Sequence, residues 1–89
     1  STIINAHIRR LFSPSCIKGY AFKKDGKPIG IIIEQTFYKE GESFPAQLIK
    51  EVGKITLTIA AIRTSGLTIS YSRNASAPIE VAIPLPDLK

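Results

Sequence analysis

Residues 17–38, IKGYAFKKDGKPIGIIIEQTFY, decide how the rest of the chain is read. Two runs rich in β-branched and aromatic residues meet at Asp25-Gly26, a pair that readily takes the positive φ angles of a two-residue hairpin turn. The stretch is therefore expected to form a β-hairpin, with Lys18, Tyr20 and Phe22 on its first arm and Phe37 and Tyr38 closing its second. Its tip is basic, because Lys23 and Lys24 precede the turn and Lys27 follows it. Lysines at such a place have two readings. They keep an exposed edge from pairing with another sheet, or they follow phosphates while bases stack on neighbouring rings. Tyr20 and Phe22 are two residues apart and share one face of the arm, and this aromatic interleaving argues for the second reading.

Composition fits that reading without requiring it. Eighty-nine residues make one domain, with a core large enough to fold alone yet small enough to gain from a partner subunit. The apolar fraction of 44% is ordinary, and frequent Ile, Val, Thr and Tyr favour strands over helices. Twelve Lys and Arg against seven Asp and Glu give a net charge of +5, which favours polyanionic partners such as nucleic acid or an acidic membrane surface. The one cysteine, Cys16, cannot close an intrachain disulfide, so a reducing, cytosolic compartment is expected. No apolar run approaches the ~20 residues of a membrane-spanning helix, and no basic stretch followed by an apolar run opens the sequence, so neither membrane insertion nor secretion is expected. Ser1 would suit removal of an initiator methionine.

Along the chain, Ile4, Ala6 and Ile8 alternate with Asn5, His7 and Arg9, which predicts a half-buried first strand within 2–12. His7 is the sole histidine and reads as a surface residue. With one histidine and one cysteine, neither a zinc site nor another metal or cofactor site is expected. Ser13-Pro14-Ser15 breaks the pattern before the hairpin. In the second arm, Gly30 marks either a bulge or a close approach of another backbone. Glu34 reads as a counter-charge to the basic tip, since no second acid or base accompanies it at a catalytic spacing. Lys39-Glu40-Gly41-Glu42 is the next turn. Residues 45–53 are ambiguous: Ser43, Pro45 and Gly53 would start and stop a short helix, whereas Phe44 to Lys50 also reads as a strand. Then Ile55, Leu57 and Ile59 predict a strand, Arg63–Gly66 a turn, and Leu67, Ile69 and Tyr71 another strand. Arg73-Asn74-Ala75-Ser76 reads as a loop, and Ile79, Val81 and Ile83 as the last strand, stopped by Pro84 and Pro86. Five strand candidates joined by short turns predict an all-β, small antiparallel barrel. No phosphate-cradling glycine loop, metal-ligand cluster or nucleophile motif is present, so the chain is not expected to be an enzyme.

Asp25-Gly26-Lys27-Pro28, then Glu34-Gln35, Tyr38 and Phe44-Pro45, in that order and near-spacing, resemble the single-stranded-DNA-binding proteins of filamentous bacteriophages, the gene-five-protein type. The likeness covers about residues 18–50. It implies a five-stranded, oligonucleotide-binding (OB)-like barrel with a protruding hairpin wing, a homodimer, and cooperative, largely sequence-independent coating of single-stranded DNA during phage replication in the host cytoplasm. Messenger RNA is a further candidate ligand. By position, Lys18, Lys23 or Lys24, and Lys27 resemble the phosphate contacts of the wing, and Phe44 resembles the family's stacking tyrosine. Ile29 stands where the family has an aromatic, which shifts the expected stacking to Tyr20 or Phe22. One extra residue between Pro28 and Glu34 leaves the register there open. The family has a strand after Pro45, which tips 45–53 towards strand. Tyr71 and Arg73 would belong to a second hairpin that reaches DNA or the dimer partner. A dimer is also expected because a small interior has little room for both Ile31–Ile33 and Ile79–Ile83. The competing reading is a non-enzymatic protein-interaction module, a small barrel whose open edge adds a strand to a partner.

Overall fold

The computed structural model describes residues 2–73 and 76–84. Ser1, Asn74, Ala75 and the end after Pro84, read above as a processed start, part of a loop and a stop, lie outside the described residues. The remainder is mostly β, with one helix, α1 (Thr2–Leu11), and seven strands: β1 (Ile17–Phe22), β2 (Pro28–Ile33), β3 (Thr36–Lys39), β4 (Ser43–Ile49), β5 (Gly53–Arg63), β6 (Gly66–Arg73) and β7 (Ile79–Pro84). They form two antiparallel sheets in sequence order, β1-β2-β3 and β4-β5-β6-β7. The all-β expectation holds in outline. The seven strands lie in two separate sheets that are not closed into one barrel.

The first correction is α1, where a strand was expected. Ile4, Ile8, Leu11 and Phe12 recur at helical spacing, and Ile4, Ile8 and Phe12 are all buried while Ala6 is exposed. The same residues satisfy a period of two over 4–8, but only a helix places Phe12 beside Ile4 and Ile8 and turns Ala6 outward. Arg9 and Arg10 lie in the last turn, where cations complement the helix dipole. Phe12 N–H donates to the Ile8 carbonyl at 3.1 Å, and Pro14 follows three residues after the last residue of the helix.

The hairpin is present, with a different turn. Gly26 N–H donates to the Lys23 carbonyl at 2.9 Å, Lys23 N–H donates to the Lys27 carbonyl at 2.8 Å, and Gly26 has φ +87°. These bonds enclose a three-residue loop, Lys24-Asp25-Gly26, in which only the glycine takes the left-handed conformation, and Asp25 Oδ1 accepts from Lys27 N–H at 3.0 Å. The expected second arm is two strands: β2 turns at Glu34-Gln35 into β3, pairing Ile33 with Thr36. Gly30 is not itself the bulge. Pairing jumps from Ala21–Gly30 to Phe22–Pro28, which leaves its neighbour Ile29 as the extra residue.

Glu34 makes the β2–β3 turn with φ +56°, a conformation that costs a side-chain-bearing residue roughly 1–2 kcal/mol. Glu34→Gly is expected to stabilise the fold by about 1 kcal/mol, after the greater chain entropy of glycine offsets part of that relief. A higher urea midpoint at unchanged m-value is the expected result. A lower midpoint would mean that the turn is not left-handed.

Residues 43–49 form strand β4, so the helix reading of 45–53 is set aside. The pairing of β4 with β5 skips between Phe44 and Gln47, and Pro45 sits in that gap, where no ladder N–H is needed. One face of the four-stranded sheet is apolar: Ile55, Leu57 and Ile59, then Leu67, Ile69 and Tyr71, then Val81 and Ile83 are buried. They pack against Ile31, Ile33 and Tyr38 of the three-stranded sheet and against α1 in one hydrophobic cluster. This core takes up most of the residues from which a dimer was argued. Only Ile79, at 53% exposure, is left strongly exposed among the buried-strand candidates of β7. The β3–β4 turn ties the sheets together: Gly41 N–H donates to the Ile59 carbonyl at 2.6 Å, and Ile59 N–H to the Glu42 carbonyl at 2.9 Å. No helix of the described residues is long and apolar enough to cross a membrane.

Candidate nucleic-acid interface

The sheet junction carries the wing tip towards the turn between β5 and β6. An open cleft of about 750 Å³ lies between them, lined by Lys23 and Lys27 of the wing, Lys39 and Glu40 at the end of β3, and Arg63, Thr64 and Ser65 of the β5–β6 turn. Pro28, Ile29 and Ile62 supply apolar wall. Four cations from three chain segments thus face one space, accompanied by two carboxylates, Asp25 and Glu40.

One oxygen of each carboxylate is bonded to a backbone amide. Asp25 holds the Lys27 amide within the turn, and Glu40 Oε2 accepts from the Ile62 amide at 2.8 Å, which fastens the end of β3 to β5. Hydrogen bonds to backbone amides orient both carboxylates towards the protein chain. The side chains of Lys23, Lys27, Lys39 and Arg63 make no ion pair or hydrogen bond among the described residues, and all four residues are exposed. Their charges remain available to a solution anion. Lys24 is likewise exposed beside the cleft without lining it.

Sequence reasoning placed Lys23, Lys24 and Lys27 correctly at the tip and missed Lys39 and Arg63. Each of the missed residues opens a turn, which is the one local signal they carry. Their convergence depends on strand pairing. Lys18 stands apart: its Nζ donates to the Ser15 carbonyl at 2.8 Å at the base of the wing, five residues and roughly 17 Å of strand from Lys23. Arg73 ends β6 at the opposite end from the Thr64-Ser65 turn, roughly 24 Å along the strand. The second hairpin therefore approaches the wing through Arg63, while Tyr71 is buried in the core.

The candidate stacking rings divide. Phe22 is 50% exposed and meets Tyr20 edge-on, with centroids 6.0 Å apart. Tyr20 packs against the core, its hydroxyl is buried without a hydrogen-bond partner, and this burial raises its pKa from the ordinary 10.0. Phe44 lies between Phe12 and Tyr38 at 5.0 and 4.9 Å, in an aromatic row that joins α1 to both sheets. Of the three, only Phe22 offers a largely open ring. His7, expected at the surface, is half-buried and bonded to Gln47 through Nε2 at 3.1 Å. Glu34 lies at the β2–β3 turn, at the far end of β2 from the wing tip, so it is not a counter-charge within the cleft. Among the described residues, no group of three or more His, Cys, Asp or Glu is placed to hold a metal ion.

Comparison with known proteins gives no match to a protein family, a curated protein or a solved structure.

Proposed function

We propose that the protein binds single-stranded nucleic acid through its phosphates, along the cleft between the wing and the β5–β6 turn. The observation that carries this reading is the convergence of Lys23, Lys27, Lys39 and Arg63 while Asp25 and Glu40 are engaged by backbone amides. Ammonium groups act as flexible point charges, so three of the four contacts select charge rather than base identity. The exposed Phe22 beside Lys23 favours single strands, whose bases have open faces. Cooperative coating of phage DNA by a homodimer in the host cytoplasm belongs to the same proposal, as do messenger RNA as a second ligand and kinship with the five-stranded OB-like barrel. Their support is the motif order from Asp25 to Pro45.

Anisotropy titration with single- and double-stranded oligonucleotides of equal length tests the reading. Four phosphate contacts predict that log affinity falls with log salt at a slope near −2.8, or about 50-fold between 50 and 200 mM. Single strands are expected to bind more tightly at every salt concentration. Absence of binding at 50 mM overturns the proposal, and salt-tolerant capture of a peptide in its place favours the strand-adding interaction module.

A further inference from the structure

The outer face of β1-β2-β3 turns away from the core and carries an aromatic residue that the cleft does not include. Gly30 pairs with Lys39, and Ile32 pairs with Phe37, so these four residues share that face. The Phe37 ring leans diagonally across the strands onto Gly30, where an added Cβ would collide with two of its ring atoms and crowd a third. Gly30 is buried as a result, while Phe37 itself remains 40% exposed. One side of the ring thus rests on backbone, and the ring's open surface has no protein aromatic against it among the described residues. Lys39 follows Phe37 by two residues on the same face, about 6.6 Å along the strand, and also lines the cationic cleft.

We infer that Phe37 is a base-stacking site, reached by a single strand that passes from the cleft across the end of β3. This rests on the cleft being the phosphate path. The charge complementarity of that path selects the occupant: a polyanion held at Lys39 brings planar groups to the adjacent ring. Glycine at position 30 is what lets the ring lie low against β2, so that a base can settle over it without displacing a neighbouring side chain. Lys39 then serves both elements, with its ammonium on phosphate and its stem beside the ring. The site is sequence-tolerant, because every base offers a π-face.

Two substitutions read stacking separately from charge. Phe37→Leu keeps an apolar cover on Gly30 and removes the aromatic face. It is expected to weaken binding to oligo-dT about tenfold while leaving binding to an abasic sugar-phosphate strand of equal length unchanged. Phe37→Trp introduces the sole tryptophan of the chain, and its fluorescence is expected to be quenched on saturation with oligo-dT. Equal affinity of Phe37→Leu and the parent for oligo-dT, equal losses on both strands, or an unquenched tryptophan at saturation would each overturn the site while leaving the cleft intact. If the unaltered protein binds neither strand, the cleft and the stacking site fall together.

Discussion

Replacing Lys39 and Arg63 together by alanine is expected to flatten the salt dependence of oligonucleotide binding by about 1.4 in log–log slope, because each lost contact with a single-stranded phosphate removes about 0.7. The same relation predicts an affinity loss of about 65-fold at 50 mM salt, shrinking to about tenfold at 200 mM. Both side chains are exposed, so folding should change by no more than about 0.5 kcal/mol. The informative control is Lys18→Ala with Arg73→Ala, which removes the same formal charge outside the cleft. Lys18 is roughly 17 Å along β1 from the nearest cleft lysine, and Arg73 roughly 24 Å along β6 from its turn. Both distances exceed the Debye length of about 8–10 Å at 0.10–0.15 M salt. This control should leave the slope nearly unchanged. If the two double variants weaken binding equally, attraction depends on total charge and the cleft has no special role.

That contrast follows the line between what the residues disclosed locally and what only pairing could disclose. The strands β5, β6 and β7 were legible because Ile55-Leu57-Ile59, Leu67-Ile69-Tyr71 and Val81-Ile83 alternate with polar or small residues, and each set faces one core. The wing was legible from Asp25-Gly26, although the conformation of Asp25 itself was not, since aspartate tolerates more than one place in a turn. Glu34-Gln35 gave no glycine to announce a reversal. The turn forms there because Ile31 and Ile33 must face the same core as Tyr38, and a two-residue connection brings Tyr38 opposite Ile31. At the site, the basic tip could be read from adjacent lysines, whereas Lys39 and Arg63 are far apart in sequence and meet only through the tie between the β3–β4 turn and β5. Phe44 presents the reverse case. Its position beside a proline carried a resemblance, but its ring is packed between Phe12 and Tyr38.

The sharpest test of the fold itself lies in α1, whose isoleucines are weak helix formers and whose hold on the protein is tertiary. Phe12→Ala is expected to destabilise by about 3–5 kcal/mol, because the ring is 1% exposed and deleting it opens a cavity against Phe44. That is a large part of the roughly 5–15 kcal/mol available to a domain of this kind. Urea unfolding should show a strongly lowered midpoint, and Ile8→Ala should cost about 2–5 kcal/mol at the same interface. Neither substitution alone separates helix from strand, since both residues would face inward in either. Ala6→Glu does. On a strand, position 6 would share the apolar face of Ile4 and Ile8, and an unpaired carboxylate there would cost several kcal/mol. On α1, Ala6 is exposed, so glutamate should change stability by no more than about 0.5 kcal/mol. A loss at Ala6→Glu comparable with that at Phe12→Ala would return residues 2–11 to a sheet and remove the layer that closes the core.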